Sequence, residues 1–439
     1  MGGCHAWSVS RPLRGRWWRT DRSTPSALDT SGLVRETALL MRPGTDSRAL
    51  RLLNAQRIVD VVLASSPDPV SRPEVGRLTG LSKPTVSALV DDLQSAGFLR
   101  QAADSVDSGS VGRPASMFEV DPMVRLVIAA DIGATKSVVA VADLLGSIVV
   151  EETVPTPSNA LDALDEVCQR AISLLSTVGG RSAGICVGVP GIYRPEVDGV
   201  VQALNLPGFD GVQVAKRLAS HFEGQTILVE NDVNLAALGE LASMGGSRQQ
   251  VGDFAAISVG TGIGLGLVVD GELYRGGTGS AGELGSIYLT SPSENSPGVT
   301  LEGVAAAPSL RKRLGVAIEQ GHRTSLTADC DVPEIMAAAA DGDDAARLVL
   351  TEAASAMSLA ISHLRFIADP TQIVLGGGVG ANPVFCDAVN EQLMRLSSGA
   401  SPVVPSELGG RAALLGAVSV AVASVRSKLV TEVLEGSRS

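Results

Sequence analysis

The hydrophobic pattern of the chain starts with an amphipathic segment that follows a stretch without periodicity. Its apolar positions are Leu50, Leu53, Ile58, Val61 and Val62. This spacing predicts a helix over residues 49–65. A shorter helix is predicted from Arg72 to Leu78, because the Ser71 hydroxyl can cap it and Glu74 can reach back to the cap.

A glycine turn and a third helix come next. Gly80 can take positive φ in the Thr79-Gly80-Leu81 turn. Ser82 then caps a helix with Pro84 in its first turn, where a missing N–H costs little. The buried stripe of this helix leaves Lys83 and small side chains on its outer face. Two helices that flank a glycine turn in this way predict a helix-turn-helix.

Two strand-like segments, Phe98–Gln101 and Ser116–Val120, then flank a polar loop. The loop carries Gly112-Arg113-Pro114, a cation on a stiffened loop, which suits a phosphate or the minor groove. This pattern predicts a wing and therefore a DNA-binding winged helix-turn-helix; the alternative is a helical subdomain for protein contacts. The candidate DNA contacts are Ser82, Lys83, Thr85 and Ser87 on the helix and Arg113 on the wing.

From Val124 onward the chain alternates between strand-like and helix-like segments. The predicted strands are Leu126–Asp131, Ser137–Asp143, Ser147–Glu151, Ser182–Val189, Thr226–Glu230, a pair within 252–270, and Gln372–Leu375. The predicted helices are 160–178, 212–223, 233–244, 305–317, 332–340, 344–368, 383–397 and 413–426. This alternation predicts a largely covered sheet. A glycine-rich turn in each half indicates two similar α/β lobes with a cleft between them.

These patterns divide the chain into three parts. Residues 48–122 form the predicted winged helix-turn-helix, and residues 123–430 form the α/β body. Residues 1–47 mix Arg, Ser, Thr, Pro and Gly without periodicity, which predicts a disordered basic tail. The alternative for that tail is a basic arm that contacts DNA phosphates.

The charge of the chain is unevenly distributed. The net charge is −12, which by itself disfavours a nucleic-acid partner. Residues 1–47, however, carry seven Arg against four acidic residues, and residues 48–125 carry nine basic and nine acidic residues. The remainder holds 19 basic and 34 acidic residues. The acidity therefore belongs to the body, and DNA binding by the N-terminal part remains compatible with it.

The cysteines and the hydropathy indicate a cytoplasmic protein. The five cysteines, none of them at metal-ligand spacing, are Cys4, Cys168, Cys186, Cys330 and Cys386. They fit buried thiols in a reducing compartment. We expect no membrane partner, because no apolar run approaches the ~20 residues that span a bilayer. The N-terminal residues have no apolar core of a secretory signal.

The first candidate phosphate site follows the strand predicted at Leu126–Asp131. Gly133 lets backbone N–H groups approach a phosphate, and Thr135 can donate a hydrogen bond. The Asp131 carboxylate can hold Mg²⁺ through water. A simple hairpin turn between two strands is the alternative interpretation of the same pattern.

A second glycine-rich turn, Ser258-Val259-Gly260-Thr261-Gly262-Ile263-Gly264, lies between the strands predicted within 252–270. Its alternating glycines expose N–H groups for the outer phosphates of a nucleotide. A third glycine run, after Gln372–Leu375, can admit an adenosine. Tight hairpin packing would explain any single motif, but three in this order predict a nucleotide site. The candidate contacts are Gly260, Thr261, Gly262, Gly264, Gly376 and Gly377.

Polar residues with a different chemistry follow the strand Thr226–Glu230. Asp232 is placed to act as a general base on a sugar hydroxyl, and Asn231 to bind a neighbouring hydroxyl. The alternative role for Asp232 is to cap the helix 233–244. The two roles are compatible.

Together these motifs resemble the ROK family (repressor, open reading frame, kinase), in its regulator branch. The resemblance covers about residues 48–425 and implies a two-lobed, actin-like ATPase fold of the sugar-kinase type behind the DNA-binding domain. It implies a nucleotide role for the glycine motifs above, and sugar-binding roles for Asn231 and Asp232. It further implies sugar binding by Glu283, within Gly276–Ser286, and by Glu302.

The sequence departs from the family pattern at its zinc site. The family has a His that binds both sugar and zinc where this chain has Ser286. The three Cys ligands correspond to Ser293, Asn295 and Thr300. Because these side chains are poor zinc ligands, we expect no structural zinc, and the missing His puts standard hexose recognition in question.

Three functions are compatible with these residues. The first is a DNA-binding transcriptional regulator, such as a repressor, whose body senses a sugar or sugar phosphate without turnover. The second is an active ATP-dependent sugar kinase with a DNA-binding domain. The third is a DNA-binding protein whose body is only an oligomerisation scaffold. We favour the first, with a double-stranded operator as partner, a homodimer or homotetramer as assembly, and no required cofactor, although ATP and Mg²⁺ fit the motifs.

Overall fold

The computed structural model describes residues 47–102, 116–203, 206, 208–244, 252–293, 297–396 and 401–436. The predicted tail up to residue 46, the wing residue Arg113 and the zinc-segment residue Asn295 lie outside these described residues. From Ser47 onward the described elements belong to one unit of contacting structure.

The described part of the N-terminal domain combines helices with a small antiparallel sheet. Its elements are α1 (Ser47–Ser65), β1 (Val70–Ser71), α2 (Arg72–Thr79), α3 (Lys83–Ser95), β2 (Leu99–Gln101) and β3 (Met117–Val120). Strand β3 lies between β1 and β2. The Ser71 hydroxyl caps α2, and Gly80 ends it with a φ of 71°. Glu74 pairs with Arg77 instead, so the reciprocal half of the predicted capping box was wrong.

The first lobe of the body is built on a five-stranded sheet. Its elements are β4 (Leu126–Ile132), β5 (Lys136–Ala142), β6 (Ile148–Pro155), α4 (Ala160–Val178), β7 (Ser182–Val189), β8 (Ile192–Arg194), β9 (Gly199–Val201), α5 (Val214–His221) and β10 (Thr226–Asn231). The strand order is β10-β7-β4-β5-β6. Strands β10, β7 and β4 run parallel, and β4, β5 and β6 form an antiparallel meander. Strands β8 and β9 form a separate hairpin.

The second lobe repeats this plan. Its elements are α6 (Asp232–Ser243), β11 (Phe254–Val259), β12 (Ile263–Val269), β13 (Glu272–Leu273), β14 (Tyr288–Thr290), β15 (Val299–Thr300), α7 (Glu302–Ala305), α8 (Ala307–Glu319), α9 (Val332–Ala340), α10 (Asp344–Ala368), β16 (Gln372–Gly376), α11 (Gly377–Gly380), α12 (Pro383–Leu396), β17 (Val404–Pro405) and α13 (Ala412–Gly436). The sheet order is β13-β12-β11-β16-β17.

The two sheets have the same topology. In each, an antiparallel meander of three strands is followed by two parallel strands that extend the sheet from the first strand of the meander. The predicted pair of similar α/β lobes is confirmed. Helices α8, α9, α10 and α12 pack together in a buried core with the second sheet.

Helices α6 and α13 cross between the two sheets at very short range. A Cβ added to Gly239 of α6 would collide with the carbonyl of Ala412, and one added to Gly416 of α13 would collide with the carbonyl of Leu235. Larger residues at either position would therefore separate the helices. The two glycines therefore allow the backbones of α6 and α13 to pack in direct contact.

Two long predicted helices differ in how well their bounds agree with the structure. Helix α10 spans the predicted range, but α13 extends ten residues past the predicted end at 426. Leu429 and Val430 in that extension are buried in a cluster that includes Ile58 of α1. The C-terminal extension of α13 therefore packs against the N-terminal domain.

Two helices are long and apolar enough to pass a length-and-composition test for a membrane span, namely α10 and the region of α13. More than half of each tested segment is buried inside the protein. The buried side chains of α10 face the core of the second lobe, while α13 packs on the first sheet and on α6. Their hydrophobicity is thus accounted for by packing within the fold.

Candidate functional site

Asn231 and Asp232 lie where β10 ends and α6 begins. The Asn231 side chain accepts a hydrogen bond from the Asn234 N–H at 3.0 Å, and its amide donates to the carbonyl of Gly191 at 3.0 Å. The helix therefore begins at Asp232 with Asn231 as its cap. The alternative role of Asp232 as the cap was wrong, and its carboxylate instead accepts from the Asn231 amide and the Val233 N–H.

The surroundings of Asp232 place its pKa near the range of a general base. Burial, together with the charge of Glu283, raises the pKa of Asp232 to about 6. Backbone N–H groups and the Asn231 amide lower it by stabilising the ionised form. A carboxylate with such a pKa is ionised at neutral pH, yet it can accept a proton from a bound hydroxyl.

Asp131, the penultimate residue of β4, lies close enough to Asp232 for their charges to interact. Burial and the nearby charge of Asp232 raise the pKa of Asp131 to about 7, against the opposing effect of Lys136. Two neighbouring carboxylates in a partly closed cleft raise each other's affinity for protons or cations. This arrangement is compatible with the predicted Mg²⁺ role of Asp131.

The two predicted sugar-binding glutamates reach the same cleft from the second lobe. Glu302 is the first residue of α7. Its carboxylate accepts a hydrogen bond from the Ile263 N–H at 2.9 Å, which links α7 to the first residue of β12. Burial raises the pKa of Glu283, as does the charge of Glu302. The two glutamates therefore lie close enough to interact electrostatically.

A cavity of about 220 Å³ brings most of these residues together. Its lining includes the sugar-binding candidates and the second glycine turn, namely Asn231, Asp232, Gly260, Thr261, Gly262, Gly264, Glu283 and Glu302. A neighbouring cavity of about 150 Å³ is lined by Asp131, Asp232, Gly376 and Gly377. Residues scattered over more than 240 positions of the sequence thus surround one continuous interlobe region.

The first phosphate motif enters the larger cavity only through Ala134. The Gly133 N–H donates to the carbonyl of Lys136 at 3.1 Å, as in a hairpin turn, and Thr135 is exposed. Gly133 and Thr135 therefore flank the cavity rather than line it. At the second motif the Gly260 N–H donates to the carbonyl of Gly262 at 2.9 Å.

The structure adds an ion pair that sequence reasoning missed. Arg275 donates through Nε to Glu230 Oε2 at 2.7 Å, and its Nη2 lies 2.6 Å from the same oxygen. The other Glu230 oxygen accepts from the Asn231 N–H and the Asn234 amide. Glu230 stood in the motif next to Asn231, but nothing in the sequence pointed to Arg275 as its partner. The pair ties the loop that leads to Glu283 to the strand that carries Asn231.

The residues at the family's zinc positions do not fit a zinc site. The Thr300 hydroxyl accepts a hydrogen bond from the Gly303 N–H, and Ser286 ends a short 3-10 turn. Between these two positions, β14 pairs antiparallel with β15, with Tyr288 opposite Thr300. Among the described residues there is no group of three or more His, Cys, Asp or Glu side chains suited to a metal ion.

The candidate DNA-binding residues lie at the start of α3. Ser82 caps the helix, accepting from the Thr85 N–H and sharing a 2.8 Å hydrogen bond with the Thr85 hydroxyl. Ser82 and Lys83 are exposed, whereas Thr85 and Ser87 are half-buried. The buried stripe of α3 is the predicted one, Val86, Leu89, Val90 and Leu93. The outer N-terminal turn is therefore available to a DNA groove.

The DNA-binding domain is joined to the body through α13. Arg426 of that helix donates to the carbonyl of Leu144, with Nε at 2.8 Å and Nη2 also in contact. The Leu144 N–H donates to the carbonyl of Pro122, two residues after the end of β3. Burial lowers the pKa of Arg426, and the charges of Asp60 on α1 and of Asp143 oppose that shift. Arg426 of α13 thus interacts with Leu144 in the body and with the charge of Asp60 in the N-terminal domain.

Comparison with known proteins agrees with this architecture. Residues 127–424 match the ROK family, and residues 61–108 match the MarR family. The chain belongs to the ROK family and carries a MarR-type winged helix at its N-terminus.

Relatives include both regulators and enzymes. A xylose repressor of Caldicellulosiruptor bescii is 25% identical over 377 residues, which cover 82% of this chain and 93% of the repressor. A bifunctional enzyme NanE/NanK of Brucella melitensis biotype 1 is 32% identical over 296 residues, 67% of this chain and 54% of the enzyme. The crystal structure of a ROK family transcriptional regulator, a homologue of the E. coli MLC protein, has a TM-score of 0.71 at 22% identity, covering 88% of this chain and 99% of the regulator.

Proposed function

We propose that this protein is a sugar-sensing transcriptional repressor. Its winged helix-turn-helix binds double-stranded DNA, and a sugar in the interlobe cleft changes that binding. The observation that carries the proposal is the joint presence of a DNA-binding domain and a cleft lined by Asn231, Asp232, Glu283 and Glu302. The regulators among its relatives support this reading, and a cytoplasmic location follows from the role.

Operator binding requires two copies of the α3 helix. We propose a homodimer, or a homotetramer made of two dimers, whose recognition helices enter successive major grooves ~34–36 Å apart. Lys83 and Ser87 then face base edges or phosphates, and Arg113 on the wing reaches the minor groove or the backbone. Ser82 and Thr85 hold the start of the helix and present their hydroxyls beside it.

The ligand signal passes through the crossing of α6 and α13. Asp232 begins α6, and α13 runs from the crossing at Gly416 to Arg426 at the DNA-binding domain. A sugar that prefers one lobe angle therefore moves a helix on which the DNA-binding domain rests. The ligand changes DNA affinity only by its difference in affinity for the two states.

A gel-shift titration of an operator fragment tests the proposal. We expect one free sugar or sugar phosphate to change the operator Kd, and Asn231→Ala to abolish the change while leaving sugar-free DNA binding intact. Asn390→Ala, at a polar position in the second lobe away from the cleft, is the matched control. If no sugar, sugar phosphate or nucleotide changes operator binding, the sensor function is wrong.

A second candidate function is an active sugar kinase. The raised pKa of Asp232, about 6, and its place beside the second glycine turn favour this role. In that case ATP with Mg²⁺ occupies the glycine turns, and Asp232 deprotonates the sugar hydroxyl. Sugar-dependent ATP turnover that is lost in Asp232→Asn would establish it, whereas thermal stabilisation by a sugar without turnover supports a sensor.

A body that acts only as an oligomerisation scaffold is the least favoured alternative. A scaffold has no need for four polar side chains that converge on a cavity, with a carboxylate held by two separate hydrogen bonds. We also propose that the repressor needs no structural zinc, since the β14–β15 strand pair offers hydroxyls in place of the family's ligands.

A further inference from the structure

The sugar cleft is strongly acidic. Asp232, Glu283 and Glu302 line the larger cavity, and Asp131 lines its neighbour. The described residues that line these two cavities, and the small one beside Glu283, include no Lys, Arg or His. Any ligand in this cleft therefore meets carboxylates without a facing cation.

Two basic residues near the cleft, Arg275 and Lys136, do not line its cavities. Arg275 is paired with Glu230, and the exposed Lys136 lies beyond the turn that follows Asp131. The charge of Lys136 lowers the pKa of Asp131, but burial and the charge of Asp232 raise that pKa by more.

The backbone donors of the glycine turn are also partly used. The Ile263 N–H donates to Glu302 and the Gly260 N–H to the carbonyl of Gly262. An anion at this turn would therefore compete with a carboxylate that already holds one of the donors. Neutral hydroxyl groups, in contrast, can donate hydrogen bonds to Asp232, Glu283 and the free oxygen of Glu302.

We propose that the cleft binds an unphosphorylated sugar and excludes sugar phosphates. This inference rests on the proposed sensor function and narrows its ligand class. The carboxylates accept from the hydroxyls of a neutral sugar, whereas a phosphate dianion in the same cavity is repelled by several of them. At the short distances of such a cavity we expect the ester to bind at least about a hundredfold more weakly than its free sugar.

Calorimetric titration of the full-length protein tests this at a pH of about 8, where the carboxylates are ionised. The probes are glucose, xylose and N-acetylmannosamine, each compared with its terminal phosphate ester. We expect at least one free sugar to bind and its ester to bind at least about a hundredfold more weakly. An ester that binds as tightly as its free sugar, or that binds alone, overturns the inference but leaves sugar sensing intact. If none of the six binds or alters operator affinity, the proposed function itself fails.

Variants that remove one carboxylate charge distinguish electrostatic repulsion of the phosphate from a steric effect of the cavity shape. In Glu283→Gln and in Glu302→Gln, the ratio of free-sugar to ester affinity should fall by about tenfold or more, because one repulsive charge is gone. Glu272→Gln, an exposed carboxylate on β13, is the control and should leave the ratio unchanged. The ratio is measured within one variant, so a general loss of sugar affinity cancels.

The wild-type protein offers an independent check that involves no folding risk. Raising the NaCl concentration from about 0.05 M to about 0.5 M shortens the range of electrostatic repulsion. Ester binding should then improve relative to free-sugar binding. A ratio that stays constant in salt and in both glutamine variants would show that charge does not select the ligand.

Discussion

Replacing Arg426 tests how the DNA-binding domain is held on the body. Arg426→Leu keeps the apolar stem but removes the guanidinium that donates twice to the carbonyl of Leu144. A hydrogen bond from a charged group contributes about 1.5–3 kcal/mol, and Asp60 also loses a favourable charge in a half-buried environment. We expect a loss of about 3 kcal/mol in the free energy of unfolding. That is a large share of the ~5–15 kcal/mol that stabilises a typical domain.

The assay is a double-mutant cycle with Asp60→Asn, measured by chemical denaturation. Groups that interact give coupling energies of about 0.5–3 kcal/mol, and we expect about 1 kcal/mol here, since the two charges face each other without a direct ion pair. Lys428→Ala, an exposed cation on the same helix, is the control and should change stability by less than about 0.5 kcal/mol.

The same variants test transmission of the signal. In Arg426→Leu the operator Kd without sugar should stay within about threefold of wild type, since α3 is untouched. The sugar-induced change in that Kd should shrink, because α13 no longer holds the turn that contacts Pro122. A coupling energy below about 0.3 kcal/mol, together with an unchanged sugar response, would refute this account of the junction.

Three further predictions concern the DNA surface, the cleft and its protons. Lys83→Ala and Arg113→Ala should each weaken operator binding and lower its salt slope by about 1, while Arg395→Ala on α12 should not. Arg275→Ala should weaken sugar binding more than Arg275→Lys, with sugar-free operator binding unchanged as the readout of an intact DNA domain. Because the folded pKa values of Asp131 and Asp232, about 7 and about 6, exceed their unfolded value, the folded state binds more protons. The free energy of unfolding should therefore fall as pH rises from about 4 to about 7, by up to about 5 kcal/mol from these two groups. Asp131→Asn should flatten that fall, and a flat wild-type profile would contradict it.

Local signals explain how much of this protein was predictable from its sequence. The helix caps at Ser71 and Ser82, the turn at Gly80 and the apolar stripe of α3 depend on residues within a few positions of each other, and the structure confirms them. Polar residues at the ends of strands also located the cleft, because parallel strands end at one edge of a sheet. Whether the candidate site residues act as proposed stays a prediction.

The elements that were missed are those with the weakest local signal. Strand β1 has two residues, and the hairpin strands β8 and β9 have three each. Such segments are too short for an alternating pattern to stand out, and they become strands only when a partner supplies the hydrogen bonds. The cap of α6 was misplaced by one residue for a related reason, since Asn231 and Asp232 are both good caps and only the geometry selects one.

By itself the sequence determined the order of the domains, the two similar lobes and the residue types that surround the cleft. Periodicity, caps and glycine turns depend on neighbouring residues, so they can be recognised from the amino-acid sequence alone. Tertiary structure alone decided that Glu230 meets Arg275 and that Arg426 meets Leu144, pairs separated by 45 and 282 positions. It also decided that four carboxylates converge on one cleft, which gives Asp131 and Asp232 their raised pKa values, because burial and distance between charges exist only once the lobes are packed.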